Sequence, residues 1–160
     1  MDRSESVGDV AQATGELASR SKRLIGALVD ACISIIVTFP VMMAMGVIQQ
    51  LRDGQAVTVP QAVFFFFFGL VVFLLIHGYF LAKYGQTVGK RLIGTCIVSY
   101  ADGQILPLGK VVGLRYLSIA IIGQIPFIGA LFALVDILFI FGQERRCIHD
   151  LIAGTKVIRA

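Results

Sequence analysis

Charged side chains are scarce in this 160-residue chain. Asp, Glu, Lys and Arg together make up 15% of the sequence, whereas hydrophobic residues make up 57%. A soluble globular domain is about one quarter charged. The mean hydropathy of +0.85 also indicates that water is not the main solvent. The composition therefore argues against a soluble enzyme and predicts a polytopic integral membrane protein.

Cysteine is also sparse, and recognised catalytic signatures are missing. The three cysteines, Cys32, Cys96 and Cys147, have no CxxC spacing, so we expect free thiols. Cys147 and His149 are two residues apart, and no second Cys/His pair has zinc-site spacing. Nucleophile elbows and phosphate-binding glycine loops are not found. We expect no enzymatic activity, no cofactor and no metal.

The first 19 residues carry four acidic side chains against one arginine and contain no apolar stretch before a cleavage site. This pattern argues against a removable signal peptide. Residues 1–19 have too little apolar surface to offset their ordering entropy, which predicts a disordered cytoplasmic tail. Residues 20–160 are then expected to form one membrane domain.

Four apolar runs, at residues 24–48, 62–82, 111–123 and 127–141, are candidate membrane spans. The last two fall short of the ~20 residues that cross a hydrocarbon core. A turn at residues 124–126 between them leaves every basic residue except Arg52 on one side. The positive-inside rule makes that side cytoplasmic. Four spans with both termini cytoplasmic are predicted, and a re-entrant hairpin with the same sidedness stays open.

Two segments between and after these spans resemble each other. Each has a short amphipathic stretch, a Gly-Thr break at Gly94 or Gly154 and a β-prone run. This repetition predicts a duplicated unit and a cytoplasmic cap formed by residues 85–108 and 143–160. Asp102 and Gly103 have the spacing of a tight turn between residues 95–100 and 105–108, which predicts a β-hairpin. Residues 155–159 are a candidate third strand.

Two carboxylates lie within apolar runs, Asp30 in the first and Asp136 in the last. A carboxylate at such depth costs about 2.5–3.5 kcal/mol on insertion scales and needs a partner. Arg23 shares a helical face with Asp30, and its stem is expected to reach toward that acid. Antiparallel pairing in the last hairpin places Arg115 level with Asp136, which predicts an ion pair within the hairpin.

These acids have two readings. One is that they lock helix packing, since buried ion pairs are retained for register rather than for net stability. The other is a proton or cation path. Desolvation raises the carboxylate pKa and a nearby arginine lowers it, so the group could exchange protons near neutral pH. Facing aspartates also occur in intramembrane proteases, but the surrounding residues do not resemble that signature.

Three motifs carry a resemblance to a known family: Arg23 with Asp30, the Gly-Gln-Thr-Val-Gly-Lys-Arg-Leu-Ile-Gly block from Gly85, and Arg146, His149 and Asp150 followed by Ala-Gly-Thr. Together they resemble the RDD family, over nearly all of residues 18–158. The family is named for one arginine and two aspartates. The resemblance places the arginine at Arg23, with Arg20 as a weaker alternative, and the first aspartate at Asp30. The second is Asp150 or Asp136.

The resemblance implies a membrane protein, with transport proposed for some members and partnership within membrane complexes for others. We expect an all-α integral membrane protein with four transmembrane helices, the last two short and hairpin-like, and a small cytoplasmic amphipathic and β-hairpin cap. Its expected role is an accessory, assembly or scaffold subunit in a bacterial inner membrane; the alternative is an oligomeric transporter or cation/proton exchanger that uses Asp30 and Asp136.

The partners expected are the lipid bilayer, anionic lipids at the cytoplasmic face, and another membrane protein or further copies of the chain. Nucleic acid is not expected, because the basic residues flank apolar runs without a nucleic-acid-binding motif. The functional candidates are Arg23, Asp30, Arg115, Asp136, His149 and Asp150. The cap candidates are Gly85, Gly89, Lys90, Arg91, Arg146, Gly154 and Thr155.

Overall fold

The computed structural model of the chain describes residues 15–125 and 127–160, and most of them are helical. Eight α-helices and two strands follow in chain order within these residues: α1 (Arg20–Ala44), α2 (Val47–Arg52), α3 (Val59–Tyr84), α4 (Val88–Ile93), β1 (Thr95–Ser99), α5 (Leu108–Lys110), α6 (Ser118–Ile122), α7 (Ile128–Leu138), α8 (Ile148–Ala153) and β2 (Thr155–Arg159). A π-helical stretch, Val111–Leu117, joins α5 to α6, and a 3₁₀ turn, Phe139–Phe141, follows α7.

Two long helices, α1 and α3, form the apolar part of the fold. The Ser19 side chain accepts a hydrogen bond from the Lys22 amide at the start of α1, and Thr58 and Gln61 cap the start of α3. Such caps satisfy amide groups that have no partner inside the helix. Both helices are long and apolar enough to cross a membrane. They correspond to the predicted spans 24–48 and 62–82.

The last apolar region forms a helical hairpin, as the sequence predicted. Its first arm is the π-helical stretch with α6, and its second arm is α7 with the 3₁₀ turn. The chain turns at residues 123–125, where the Gln124 amide donates to the Ile121 carbonyl. Gly129 lies so close to Gly123 that a Cβ atom at Gly129 would be 2.8 Å from the Gly123 Cα. Whether this hairpin crosses a bilayer stays a prediction.

The β-hairpin predicted after β1 is wrong. The turn forms, since the Ser99 amide donates to the Gln104 carbonyl, but residues 105–108 are not a strand. The Ile97 amide instead donates to the Gly85 carbonyl at 2.7 Å, and Pro107 has no amide hydrogen to offer a ladder. The strand that pairs with β1 is β2, antiparallel, with Ile97 opposite Val157.

The disorder predicted for residues 1–19 is wrong at residues 16–18. Residues 1–14 lie outside the described residues, but the Ala18 amide donates to the Val157 carbonyl at 3.0 Å and the Arg159 amide donates to the Glu16 carbonyl at 3.1 Å. Ala18 is fully buried. Backbone pairing with the exposed edge of β2 and burial of Ala18 hold residues 16–18 in place.

The cap, defined here as α4, β1, α8 and β2, packs on one end of the helices. Its main apolar core joins the sheet to α3 and to the start of the last hairpin, through Ala18, Leu81, Ile97, Leu106, Val111 and Val157. All three cysteines are free, with Cys32 exposed and Cys96 and Cys147 buried. Burial raises the pKa of the Cys96 thiol to about 11. The cap is therefore a packed layer that covers the helix ends.

Candidate functional site

Charged side chains meet where the cap helices α4 and α8 contact α1, α7 and the π-helical stretch. At the centre is Asp150, the third residue of α8, which is fully buried. Its carboxylate accepts hydrogen bonds from the guanidinium groups of Arg23 and Arg115. It also accepts the Cys147 amide at 3.0 Å and the Thr155 hydroxyl at 3.1 Å. Asp150 thus ties α1 and the π-helical stretch to the cap.

The two arginines set the ionisation of Asp150. Burial alone works to raise the pKa of this carboxyl, but the charges of Arg115 and then Arg23 outweigh burial and hold the pKa well below its usual range. An ionised carboxylate between two guanidinium groups is a stable arrangement only while all three groups remain. Asp150, Arg23 and Arg115 therefore form an ion-paired junction beneath the cap.

Both ion pairs predicted from the sequence are wrong. Arg23 was expected to approach Asp30, and Arg115 was expected to pair with Asp136. Arg23 instead reaches the Arg145 carbonyl and Asp150, and Arg115 reaches Asp150 and the Thr155 hydroxyl. Both arginines pair with Asp150 instead because this carboxylate is completely buried, and a buried charge requires compensating charge.

Asp30 binds the start of α4. Its carboxylate accepts the Gly89 amide at 2.7 Å and the Thr87 hydroxyl at 2.5 Å. The Lys90 ammonium and the His77 Nδ1 atom each lie 3.9 Å from it. A carboxylate at a helix N-terminus satisfies free amides and interacts favourably with the helix dipole. Asp30 of α1 is therefore the N-terminal capping group of α4.

Asp136 does the same for α8. Its carboxylate accepts the His149 amide at 2.9 Å, and its second oxygen lies 2.7 Å from the His149 Nδ1 atom. Burial and then the charge of Arg115 lower the pKa of His149, against the opposing effect of Asp136. A neutral imidazole that donates its Nδ1 proton to Asp136 fits both observations.

The two capping interactions occupy matching positions. Gly89 and His149 are each the second residue of their helices, and each helix ends at a glycine in the left-handed region, Gly94 with φ +66° and Gly154 with φ +62°. Ile97 and Val157 then face each other in the sheet. The duplication predicted from the sequence is confirmed in the cap, and each copy receives one carboxylate from an apolar helix.

A cavity of about 240 Å³ opens beside these groups. Acidic, basic and apolar side chains line it: Arg23, Leu24, Ala27, Asp30, Lys90, Arg115, Tyr116, Asp136, Ile137, Ile140, Cys147 and His149. Among the described residues, the Arg115 Nε and Tyr116 Oη atoms are buried without a hydrogen-bond partner. The cavity is large enough for several water molecules or a small ion.

Most of the remaining cap candidates make contacts that stabilise the fold. Gly85 ends α3 in the left-handed region with φ +63°, and Gly89 packs against the backbone of Gly26, where a Cβ atom would overlap the Gly26 carbonyl. Arg146 lies 4.1 Å above the Tyr100 ring and donates to the Thr155 carbonyl. Arg91 is exposed. Of these residues, only Arg91 keeps the free surface position expected of a contact residue.

Two contributors were missed in the sequence. His77 accepts the Val88 amide at 3.2 Å and so completes the start of α4. Cys147 lies beside His149 and Asp136, with one ligand atom from each residue within 4.8 Å of the others. The spacing argument against a metal site considered Cys147 with His149 alone, whereas the fold adds Asp136 from α7. These three residues are the described side chains that have the types and spacing to hold a metal ion.

Comparison with known proteins supports the resemblance seen in the sequence. An uncharacterized protein of Haemophilus influenzae is 30% identical over 91 residues, which cover 57% of this chain and 56% of that relative. The match thus spans little more than half of the relative's length. No solved structure matches the chain. The model of the RDD family matches residues 17–154. The protein is therefore a membrane protein that belongs to the RDD family.

Proposed function

We propose that this chain is a scaffold or assembly subunit of a complex in the bacterial inner membrane, with both termini and the cap on the cytoplasmic side. The observation that carries the proposal is the use of the two carboxylates in apolar helices. Asp30 and Asp136 each accept a backbone amide from a cap helix. These acids fix the cap to the membrane helices, which makes the cap a rigid platform.

The outer surface of the cap supports a docking role. Leu92 on α4 is 70% exposed, and Ile152 at the matching position of α8 is 45% exposed. Leu151 beside it is also 45% exposed. Arg91 is exposed next to Leu92 and lies 4.6 Å from the Tyr84 ring. Paired apolar side chains beside a cation suit contact with another integral membrane protein at the headgroup level.

The occupant we propose is a different membrane protein of the same complex, with anionic lipids around the contact. The surfaces of α1 and α3 support this choice. Most of their apolar side chains face outward and offer area for helix contacts within the bilayer. Helix association in lipid depends on packing and polar contacts rather than on the hydrophobic effect. A partner that touches both the cap and a helix gains both kinds of contact.

Purification of the full chain from native membranes in mild detergent tests this proposal. The test variant is Arg91→Ala with Leu92→Ser on α4. A matched control is Leu51→Ser with Arg52→Ala on α2, an exposed Leu-Arg pair at the other end of the helices. We expect a stoichiometric partner that is lost from the α4 variant and kept by the control. A partner retained by both variants, or a particle made only of this chain, would overturn the proposal.

The cavity favours a second function, which is exchange of protons or cations by an oligomer. Asp30, Asp136 and His149 line the same cavity of about 240 Å³. The test is pH-gradient-driven flux of Na⁺ or K⁺ in proteoliposomes that contain wild type, Asp30→Asn or Asp136→Asn. Asp53→Asn in the exposed loop is the control. Exchange predicts that flux falls at least tenfold in both test variants while the control retains it, whereas equal flux in all four proteins would contradict it.

A further inference from the structure

We propose that Asp136, Cys147 and His149 form a binding site for a thiophilic divalent metal ion such as Zn²⁺. One carboxylate oxygen, the Cys147 Sγ atom and one imidazole nitrogen lie within 4.8 Å of one another. Asp136 and Cys147 are 5% and 6% exposed, and the His149 side chain is 21% exposed. This site does not depend on the docking role proposed above, but it shares Asp136 and His149 with the exchange function.

The fold brings these residues together in two steps. Cys147 is the N-cap residue of α8 and His149 is its second residue, and the Cys147 Sγ atom lies within 4.8 Å of an imidazole nitrogen of His149. Asp136 then reaches the same point from α7, because its carboxylate accepts the His149 amide at 2.9 Å. The backbone contact holds Asp136 beside the imidazole whether or not an ion is bound.

The ligand types decide the class of ion. Thiolate and imidazole ligands favour Zn²⁺ and Co²⁺ over Mg²⁺ and Ca²⁺, which prefer oxygen. Three protein ligands with a fourth position left open are the usual arrangement of a catalytic zinc site. All three residues line the cavity, so a water molecule from the cavity would supply the fourth ligand. Tyr116 also lines this cavity, and its hydroxyl is buried without a partner among the described residues. A water molecule on the ion is a suitable partner for it.

Binding exchanges protons for the ion. The Cys147 thiol must lose its proton, and the proton between His149 Nδ1 and Asp136 must leave if that nitrogen is the ligand. Both protons pass to solvent, and no electron transfer is involved. Burial raises the pKa of the Cys147 thiol to about 11, and the Arg23 Nη2 atom, 3.8 Å from Cys147 Sγ, opposes that shift by favouring the thiolate. Arg23 and Arg115 repel a cation, but both contact the Asp150 carboxylate, which reduces that repulsion.

Cobalt titration of the purified full chain tests the site directly. Co²⁺ bound to a thiolate gives a charge-transfer absorption in the near ultraviolet, and Zn²⁺ displaces it. We expect saturation at one Co²⁺ per chain in wild type. Cys147→Ser should lose the thiolate band, and Cys96→Ser, which alters another buried free thiol of the cap, should keep it. Absence of saturable binding in wild type, or a band that persists in Cys147→Ser, would overturn the proposal.

A second measurement covers the case in which Cys147→Ser does not fold. Asp136→Asn and His149→Gln should each weaken Zn²⁺ binding by at least about tenfold, since each removes a ligand or its charge. Zn²⁺ should also raise the thermal unfolding midpoint of wild type and Cys96→Ser. Equal affinity in wild type, Asp136→Asn and His149→Gln would show that the ion binds elsewhere.

Discussion

The two halves of the molecule share a cap design but differ in the helices that support it. In the first half, α1 and α3 have 25 and 26 residues. In the second half, α7 has 11 residues, and the other arm is partly π-helical. The cap segments nevertheless match helix for helix and strand for strand. The duplication therefore preserves the cap rather than the length of the helices that support it.

The halves also carry opposite charges at the same position. The third residue of α4 is Lys90, and the third residue of α8 is Asp150; both are buried. Lys90 faces the Asp30 carboxylate at 3.9 Å, whereas Asp150 faces the guanidinium groups of Arg23 and Arg115. The second junction is more buried and has more hydrogen bonds. It should therefore be the more costly one to disrupt.

The largest effect is expected for Asp150→Asn. This change leaves Arg23 and Arg115 buried without their shared counter-charge, and loss of one partner of a buried ion pair costs about 3–5 kcal/mol. Chemical unfolding in detergent measures the loss. Glu144→Gln, an exposed acid of the same region, should change stability by less than about 0.5 kcal/mol. Equal values for the two variants would contradict the asymmetry between the halves.

Gly89→Ala should have the next largest effect. The added methyl group would overlap the Gly26 carbonyl and lie 2.8 Å from the Asp30 carboxylate, and such overpacking costs about 1–3 kcal/mol. Gly69→Ala in α3 is the matched control, because its Cβ atom meets nothing within 4 Å. Alanine is the better helix former by up to about 1 kcal/mol, so the control should be neutral or stabilising. A stable Gly89→Ala protein would show that α1 and α4 are not in close contact.

A smaller effect is expected for pH, through His149. Burial and then Arg115 lower the pKa of His149 in the folded chain, while the unfolded chain keeps a value near 6.5. The unfolded chain therefore takes up a proton first as the pH falls below ~6.5, and stability drops by at most about 1.4 kcal/mol per pH unit. Unfolding at pH 7.5 and at lower pH measures this slope. His149→Gln should reduce it, and an identical slope in the variant would assign the effect to another group.

The sequence was sufficient for features that depend on local pattern. The length of the apolar runs predicted α1 and α3. The Gly-Thr breaks predicted that the two short cap helices end at Gly94 and Gly154, and the repeated segments predicted the cap. The carboxylates at Asp30 and Asp136 were also identified as buried sites that need partners. Each of these inferences uses residues that are close in the chain or spaced by one helical period.

The partners of the charged residues were not predictable in the same way. Spacing within one helix or hairpin suggested Arg23 with Asp30 and Arg115 with Asp136, but the cap inserts its own donors between them. Arg115 also lies in a π-helical stretch, in which hydrogen bonds run from i to i+5 and change the direction of each side chain. The repeat did place Gly89 and His149 at matching positions. That match was the sequence signal for the contacts of their amides with Asp30 and Asp136.

Hydrogen–deuterium exchange of α4 and α8 in Asp30→Ala and Asp136→Ala tests the central claim, that each carboxylate of an apolar helix holds one cap helix. Loss of an N-terminal capping group costs about 0.5–2 kcal/mol. We expect faster exchange in Val88–Ile93 for Asp30→Ala and in Ile148–Ala153 for Asp136→Ala, with the other helix unchanged in each case. Unchanged exchange in both helices, or the same change in both variants, would contradict it.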